Sequence, residues 1–145
     1  MKYVSLTNLK RNSGKRKHGS QLTQDERLGL LKRLKEVREE QWVLIPHALD
    51  RLVEKEIRAT KEDIVSTIKH CAIIEYRIVY NERRKMYEER VILRAKAMVN
   101  RSYNLNVVFS LTTKRIVTVW INHYRDRHAT LDWSIYDKDM EVLGV

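Results

Sequence analysis

The sequence predicts an α+β domain in which N-terminal helices are followed by a four-stranded antiparallel sheet. Three observations predict it. Apolar residues recur at helical spacing as far as Ile68, the period changes to two from Ile73 onward, and the later apolar runs are joined by short polar turns. With 145 residues, 43% hydrophobic and 33% charged, the chain fits one domain with a real core and a heavily charged surface.

Residues 10–21 hold two of the four glycines, two serines and a basic cluster, with no periodic apolar residue. Residues 1–22 therefore read as a flexible basic arm, and residues 23–145 as the folded domain. Thr23-Gln-Asp-Glu26 has the form of a capping box: the threonine hydroxyl accepts from the third amide of the helix while the glutamate reaches back to the cap. Leu28, Leu31, Leu34 and Val37 follow at helical spacing, which predicts a leading helix over residues 24–40 within a leading segment 23–44. Pro46 suits the first position of a second helix over residues 47–57, because its missing N–H has no partner there. Thr60-Lys-Glu-Asp63 is a second cap, and Ile64, Val65 and Ile68 continue a third helix.

Strands are expected at residues 73–80, 89–99, 105–111 and 116–122. Val91, Leu93, Ala95, Ala97 and Val99 alternate in the second; Leu105, Val107, Phe109 and Leu111 alternate in the third. Residues 81–85 form a charged connection and residues 112–115 a turn. Beyond the last strand, residues 123–145 are a loop and tail whose Leu131, Trp133 and Ile135 are expected to pack back on the domain.

The formal charge of +10 is unevenly spread. Residues 1–20 carry six bases and no acid, residues 21–80 balance at eleven each, residues 81–128 carry eleven bases against four acids, and residues 129–145 one base against four acids. Segregated positive charge fits an anionic partner, of which nucleic acid is the commonest; an acidic protein surface would satisfy it too. The chain lacks an apolar run of the roughly 18 residues that span a bilayer, and no apolar stretch follows the basic N-terminus as in a secretory signal. Cys71, the one cysteine, lies in an apolar stretch and reads as a small core residue. A cytoplasmic protein is expected. With four glycines and no phosphate loop, dinucleotide glycine pattern or nucleophile elbow, nucleotide-dependent enzymes are disfavoured and no cofactor is expected.

Four regions hold residues able to act on RNA. The polar side of the alternation presents Arg94, Lys96, Asn106, Ser110, Thr118, Trp120 and Asn122, cations and amides beside an aromatic ring. Such a face can hold a phosphate chain and stack a base; the ordinary alternative is the wet side of an antiparallel sheet. A one-residue shift of register would instead turn Trp120 inward, so the buried face is left open. His47, Arg51 and Lys55 share one side of the second helix, an imidazole for proton transfer next to cations for phosphate; exposed helix charges paired with Asp50 and Glu54 are the bland equivalent. The segment His123, Tyr124, Arg125, Arg127 and His128 makes a protic loop after the last strand, without the cysteine partner or His-Glu-x-x-His spacing of a zinc site, so no metal is expected. Lys15, Arg16 and Lys17 add a basic cluster from the arm.

Ile45-Pro-His-Ala-Leu-Asp-Arg51, Thr60-Lys-Glu-Asp-Ile64, a strand from Ile73, and Ile116-Val-Thr-Val-Trp120 together resemble a bacterial and phage domain family. That family is similar to the BECR superfamily of barnase, EndoU, colicin nucleases and RelE-like toxins. The resemblance covers residues 45–122. It implies a metal-independent ribonuclease fold in which His47 and Arg51 match the helix motif and Thr118 the last strand. The expected function is RNA binding or toxin-type RNA cleavage without a metal. The competing expectation is a non-catalytic phage or toxin–antitoxin regulator that binds another protein through its arm and first helix.

Overall fold

The computed structural model describes residues 4–38, 43–44, 60–99, 103–123 and 132–145. Among them lie helices α1 (Leu6–Arg11), α2 (Gln24–Glu36) and α3 (Lys61–Lys69). The strands are β1 (Arg16–His18), β2 (Val43–Leu44), β3 (Cys71–Asn81), β4 (Met86–Val99), β5 (Tyr103–Ser110) and β6 (Arg115–His123). They form one sheet in the order β1-β3-β4-β5-β6-β2. Five strands are antiparallel neighbours, and the two-residue β2 runs parallel to β6 at the far edge. The α+β class and the antiparallel sheet are as expected, with one more antiparallel strand than the sequence pattern indicates. No helix among the described residues is long and apolar enough to cross a membrane.

The additional strand comes from the segment expected to be a flexible arm. β1 pairs with β3 through Arg16 opposite Arg77, Lys17 opposite Tyr76 and His18 opposite Glu75. Just before it, Gly14 N donates to Ile78 O at 2.8 Å and Ile78 N to Lys15 O at 3.1 Å. Leu9 and Leu22 anchor the segment in the core. The two glycines that suggested flexibility have structural uses: Gly14 turns the chain at φ 84°, and a Cβ on Gly19 would lie 1.9 Å from Ile73 O.

Both threonine capping boxes form. Thr23 Oγ1 accepts from Glu26 N while Glu26 Oε1 accepts from Thr23 N, and Thr60 and Asp63 repeat the pattern. Helix α2 ends at Glu36 rather than residue 40, and its buried stripe is Leu30 and Leu34, continued by Val37, not Leu28, which is 55% exposed. Helix α3 buries Ile64, Thr67 and Ile68 against the sheet. The core joins these to Tyr76 and Ile78 of β3, Val91 and Leu93 of β4, Leu105, Val107 and Phe109 of β5, and Ile116 and Val119 of β6. Cys71 is buried within it, and burial pushes its thiol up to about 12 against the pull of Lys96 and Lys35. The charged connection expected at residues 81–85 is the turn of a hairpin, in which Asn81 pairs with Met86 and residues 82–85 turn.

The tail packs on the helix side of the sheet, but not with the residues expected. Trp133 and Ile135 are 52% and 45% exposed, whereas Met140, Val142 and Leu143 are buried; Leu131 lies outside the described residues. An ion pair secures this layer. Lys17, expected to face RNA, is buried: its Nζ lies 2.7 Å from Glu26 Oε1 and donates to Met140 O at 3.0 Å. Its place opposite Tyr76 turns it to the core face. Glu26 Oε2 also accepts from Val142 N at 3.2 Å, so the capping glutamate holds helix, strand and tail together. Replacing Lys17 by Met should leave this carboxylate and the Met140 carbonyl without their cation and lower stability by about 3 kcal/mol. Urea unfolding checks it; an unchanged midpoint together with lost RNA affinity would return Lys17 to the surface.

Candidate nucleic-acid interface

The register assigns the paired strand residues to faces. Leu93, Val107 and Val119 are paired across β4, β5 and β6 on the core side, so their neighbours Arg94, Asn106 and Trp120 are paired on the other. Asn104 and Asn122 form the adjoining row, and Val108 and Thr118 the row on the opposite side. Trp120 is therefore turned away from α2 and α3. A bulge between Val108 and Phe109 lets Ile116 enter the core although strict alternation would place it beside Thr118.

Hydrogen bonds tie this face into one surface. Arg94 Nε donates to Asn106 Oδ1 at 3.3 Å, and Asn106 Nδ2 donates to Asn122 Oδ1 at 2.7 Å. Asn104 Nδ2 donates to Ala95 O at 3.2 Å. Lys96 is exposed, Arg94, Thr118, Trp120 and Asn122 are half-buried, and Asn106 and Ser110 are buried. The face is thus not uniformly solvated: the buried amide of Asn106 orients the half-buried Arg94 guanidinium, with the half-buried Trp120 paired next to it.

Closer to β1, the same face carries charges of which only Arg16 stands among the residues expected to contact RNA. Arg16, Arg77 and Arg90 stand opposite one another on β1, β3 and β4, with Ser110 next on β5. Glu75 and Glu88 lie two residues before Arg77 and Arg90 on the same strands and are 3% and 1% exposed. Glu-x-Arg within a period of two is the signal that would have found these pairs. Glu88 is the better fixed. Its Oε2 accepts from Arg90 Nη2 at 2.6 Å and Asn81 Nδ2 at 3.0 Å, and its Oε1 from Ser110 Oγ at 3.1 Å and Thr113 Oγ1 at 3.3 Å. Burial alone would raise this carboxyl, but the donors, Arg90 and Asn81 foremost, hold it below its ordinary value.

The remaining expected residues are scattered. Lys15 is exposed, 4.0 Å from Asp137. Arg16 belongs to the arginine row, and Lys17 is on the opposite face. His123 closes β6, exposed, with its ring 5.5 Å from that of Tyr103. His47, Arg51, Lys55, Tyr124, Arg125, Arg127 and His128 lie outside the described residues. Among the described residues no group of His, Cys, Asp or Glu is arranged to hold a metal ion.

Comparison with protein families, with curated proteins and with solved structures finds no match to this chain.

Glu26 and Glu88 both have carboxyls held below their ordinary value of 4.5, Glu26 through Lys17 and the amides of Thr23 and Val142 against the cost of burial. A carboxyl depressed on folding contributes stability that is fully present above the unfolded value and is lost as pH falls through the folded one. Unfolding free energy should therefore drop as the solution is taken below 4.5, and Glu88→Gln should flatten part of that drop. Superimposable acid profiles for the two proteins would contradict an ionised Glu88.

Proposed function

We propose that this protein binds RNA along the face of the sheet opposite α2 and α3. The observation that carries this is the alignment of Arg94, Asn106 and Trp120 on three neighbouring strands, with Asn122 hydrogen-bonded to Asn106 and Lys96 exposed beside them. Arg94 and Lys96 neutralise phosphates, Trp120 stacks a base, and the asparagine amides and the Thr118 hydroxyl supply donors and acceptors for base edges or the 2′-hydroxyl. A sheet is suited to this because its side chains stand at fixed spacings, as an extended strand of nucleotides requires.

The resemblance to the BECR group extends the proposal to metal-independent cleavage. In that finer form His47 moves the proton of the 2′-hydroxyl or of the leaving oxygen, Arg51 neutralises charge on the phosphorane, and Thr118 positions the phosphate. Thr118 adjoins the row of Trp120 on the proposed RNA face, consistent with a positioning role there.

Binding of purified protein to a structured RNA, followed by fluorescence anisotropy at several salt concentrations, tests the proposal. Trp120→Ala should weaken binding by about 1–3 kcal/mol, and Arg94→Ala should reduce the salt slope by about one unit. Absence of RNA binding by the wild type would overturn the proposal and direct the search to an acidic protein partner. In the same RNA with EDTA present, cleavage by the wild type and not by His47→Ala is the outcome expected of the catalytic form.

A further inference from the structure

We propose that the Arg16–Arg77–Arg90 row and the indole of Trp133 form a subsite for one nucleotide, the guanidinium groups holding its phosphate and the indole supporting its base. In taking a nucleotide as ligand it rests on the RNA-binding proposal, but it uses residues which that proposal does not.

The row is electrostatically incomplete. Like charges placed directly opposite on neighbouring strands repel, and this sheet does so twice, at Arg16 with Arg77 and at Arg77 with Arg90. Two carboxylates face three guanidinium groups. Glu88 is bonded to Arg90, whereas Glu75 Oε2 lies 3.5 Å from Arg77 Nε without hydrogen-bonding geometry. Arg16 has no carboxylate within ion-pairing distance among the described residues. The Nε atoms of Arg77 and Arg90 are buried and lack an acceptor among the described residues. Buried donors of this kind are costly unless something accepts from them. Burial first, and then the charges of Arg16 and Arg90, hold the Arg77 guanidinium below its ordinary value despite Glu75, in keeping with a crowded row of cations. A phosphate offers several acceptor oxygens, enough to bridge guanidinium groups on strands about 5 Å apart.

The base position follows from the chain next to the row. His18 is two residues from Arg16 on β1, about 7 Å along the strand, the scale of a single nucleotide. The Trp133 ring packs edge-on against His18 at 4.9 Å and tilts against Tyr136 at 5.8 Å, yet the residue remains 52% exposed. It is held, not loose: Asp132 caps the turn by accepting from Ser134 N at 3.0 Å and Ser134 Oγ at 2.6 Å, and Asp137 N donates to Arg16 O at 2.7 Å. A positioned aromatic ring half in water beside a row of cations is the combination on which single-stranded nucleic acids stack.

NMR titration of the full chain with 5′-AMP, inorganic phosphate and adenosine tests this. The Nε resonances of Arg16, Arg77 and Arg90 and the indole N–H of Trp133 should shift together with AMP, which should bind more tightly than phosphate or adenosine alone. Arg16→Gln, at the sheet edge and outside the ion pairs, should weaken AMP roughly ten-fold, as should Trp133→Ala, with unfolding midpoints confirming that both variants fold. Equal affinity for AMP and phosphate, or shifts that avoid these four residues, would overturn the subsite. AMP binding at the row with no binding of RNA would sink the RNA proposal and keep the nucleotide site; RNA binding sensitive to Trp120→Ala with no AMP shifts at the row would do the reverse.

Discussion

The carboxylate of Glu89 is fully buried, and much of the molecule is arranged to make that possible. Arg33 of α2 grips it with both terminal nitrogens, at 3.0 and 2.9 Å, and the Tyr76 hydroxyl of β3 donates to it at 2.6 Å. The tail closes the circuit: Leu143 O accepts from Arg33 at 2.8 Å, and Leu143 N donates to the Tyr76 oxygen at 3.2 Å. Burial and the adjacent Glu89 charge push the Tyr76 phenol well above its ordinary value; burial lowers Arg33, but the bond to Glu89 and the Glu89 charge together raise it. Removing one partner of such a pair costs about 3–5 kcal/mol, although an apolar replacement of the whole set need not. Its contribution is therefore to positioning. Arg33 of the helix and Tyr76 of one strand must meet the Glu89 carboxylate of the next, and the tail must reach both of them through Leu143.

That constraint divides the charge of the chain between the two faces of the sheet. On the helix side Lys17 has Glu26 and Arg33 has Glu89, each close and largely shielded from water. On the other side, among the described residues, three arginines share two carboxylates, and Arg94 extends the cationic surface. A net charge counted along the chain mixes these two populations. Lys15, Arg16 and Lys17 are consecutive in sequence, yet one is at the solvent, one in the arginine row and one in the core.

Much of the fold was legible because it is written in local periodicity. The two threonine caps and the alternation in β4 and β5 need only nearest neighbours to be read, and the alternation also puts Arg94 and Asn106 on the polar side of their strands. What was not legible depends on distant partners. Lys17 looks like any other basic residue until Glu26 and Met140 are beside it. Gly14 and Gly19 look like punctuation in a mobile arm until β3 supplies the carbonyl of Ile73 and the pairing at Ile78. The tail was misread for a related reason. Trp133 and Ile135 are its most hydrophobic-looking residues, but the carboxylate circuit takes up Leu143 and its neighbours, and leaves those side chains outside.

The bulge in β6 connects the core to the proposed interface. With strict alternation, Ile116 would share a side with Trp120, and either the core would lose an isoleucine or the polar face would lose its ring. The irregularity opposite Val108 and Phe109 inserts one residue, so that Ile116 pairs with Phe109 in the core while Thr118, Trp120 and Asn122 are kept on the other side. A second irregularity, between Arg94 and Met98 of β4, lies next to the Arg94–Asn106–Trp120 row. Bulges redirect side chains at the expense of ladder hydrogen bonds. Here one of them lets a single strand complete the hydrophobic layer at its start and present an aromatic ring among amides further on. The polar surface is thus built by the same strands that close the core, and neither can be shifted in register without undoing the other.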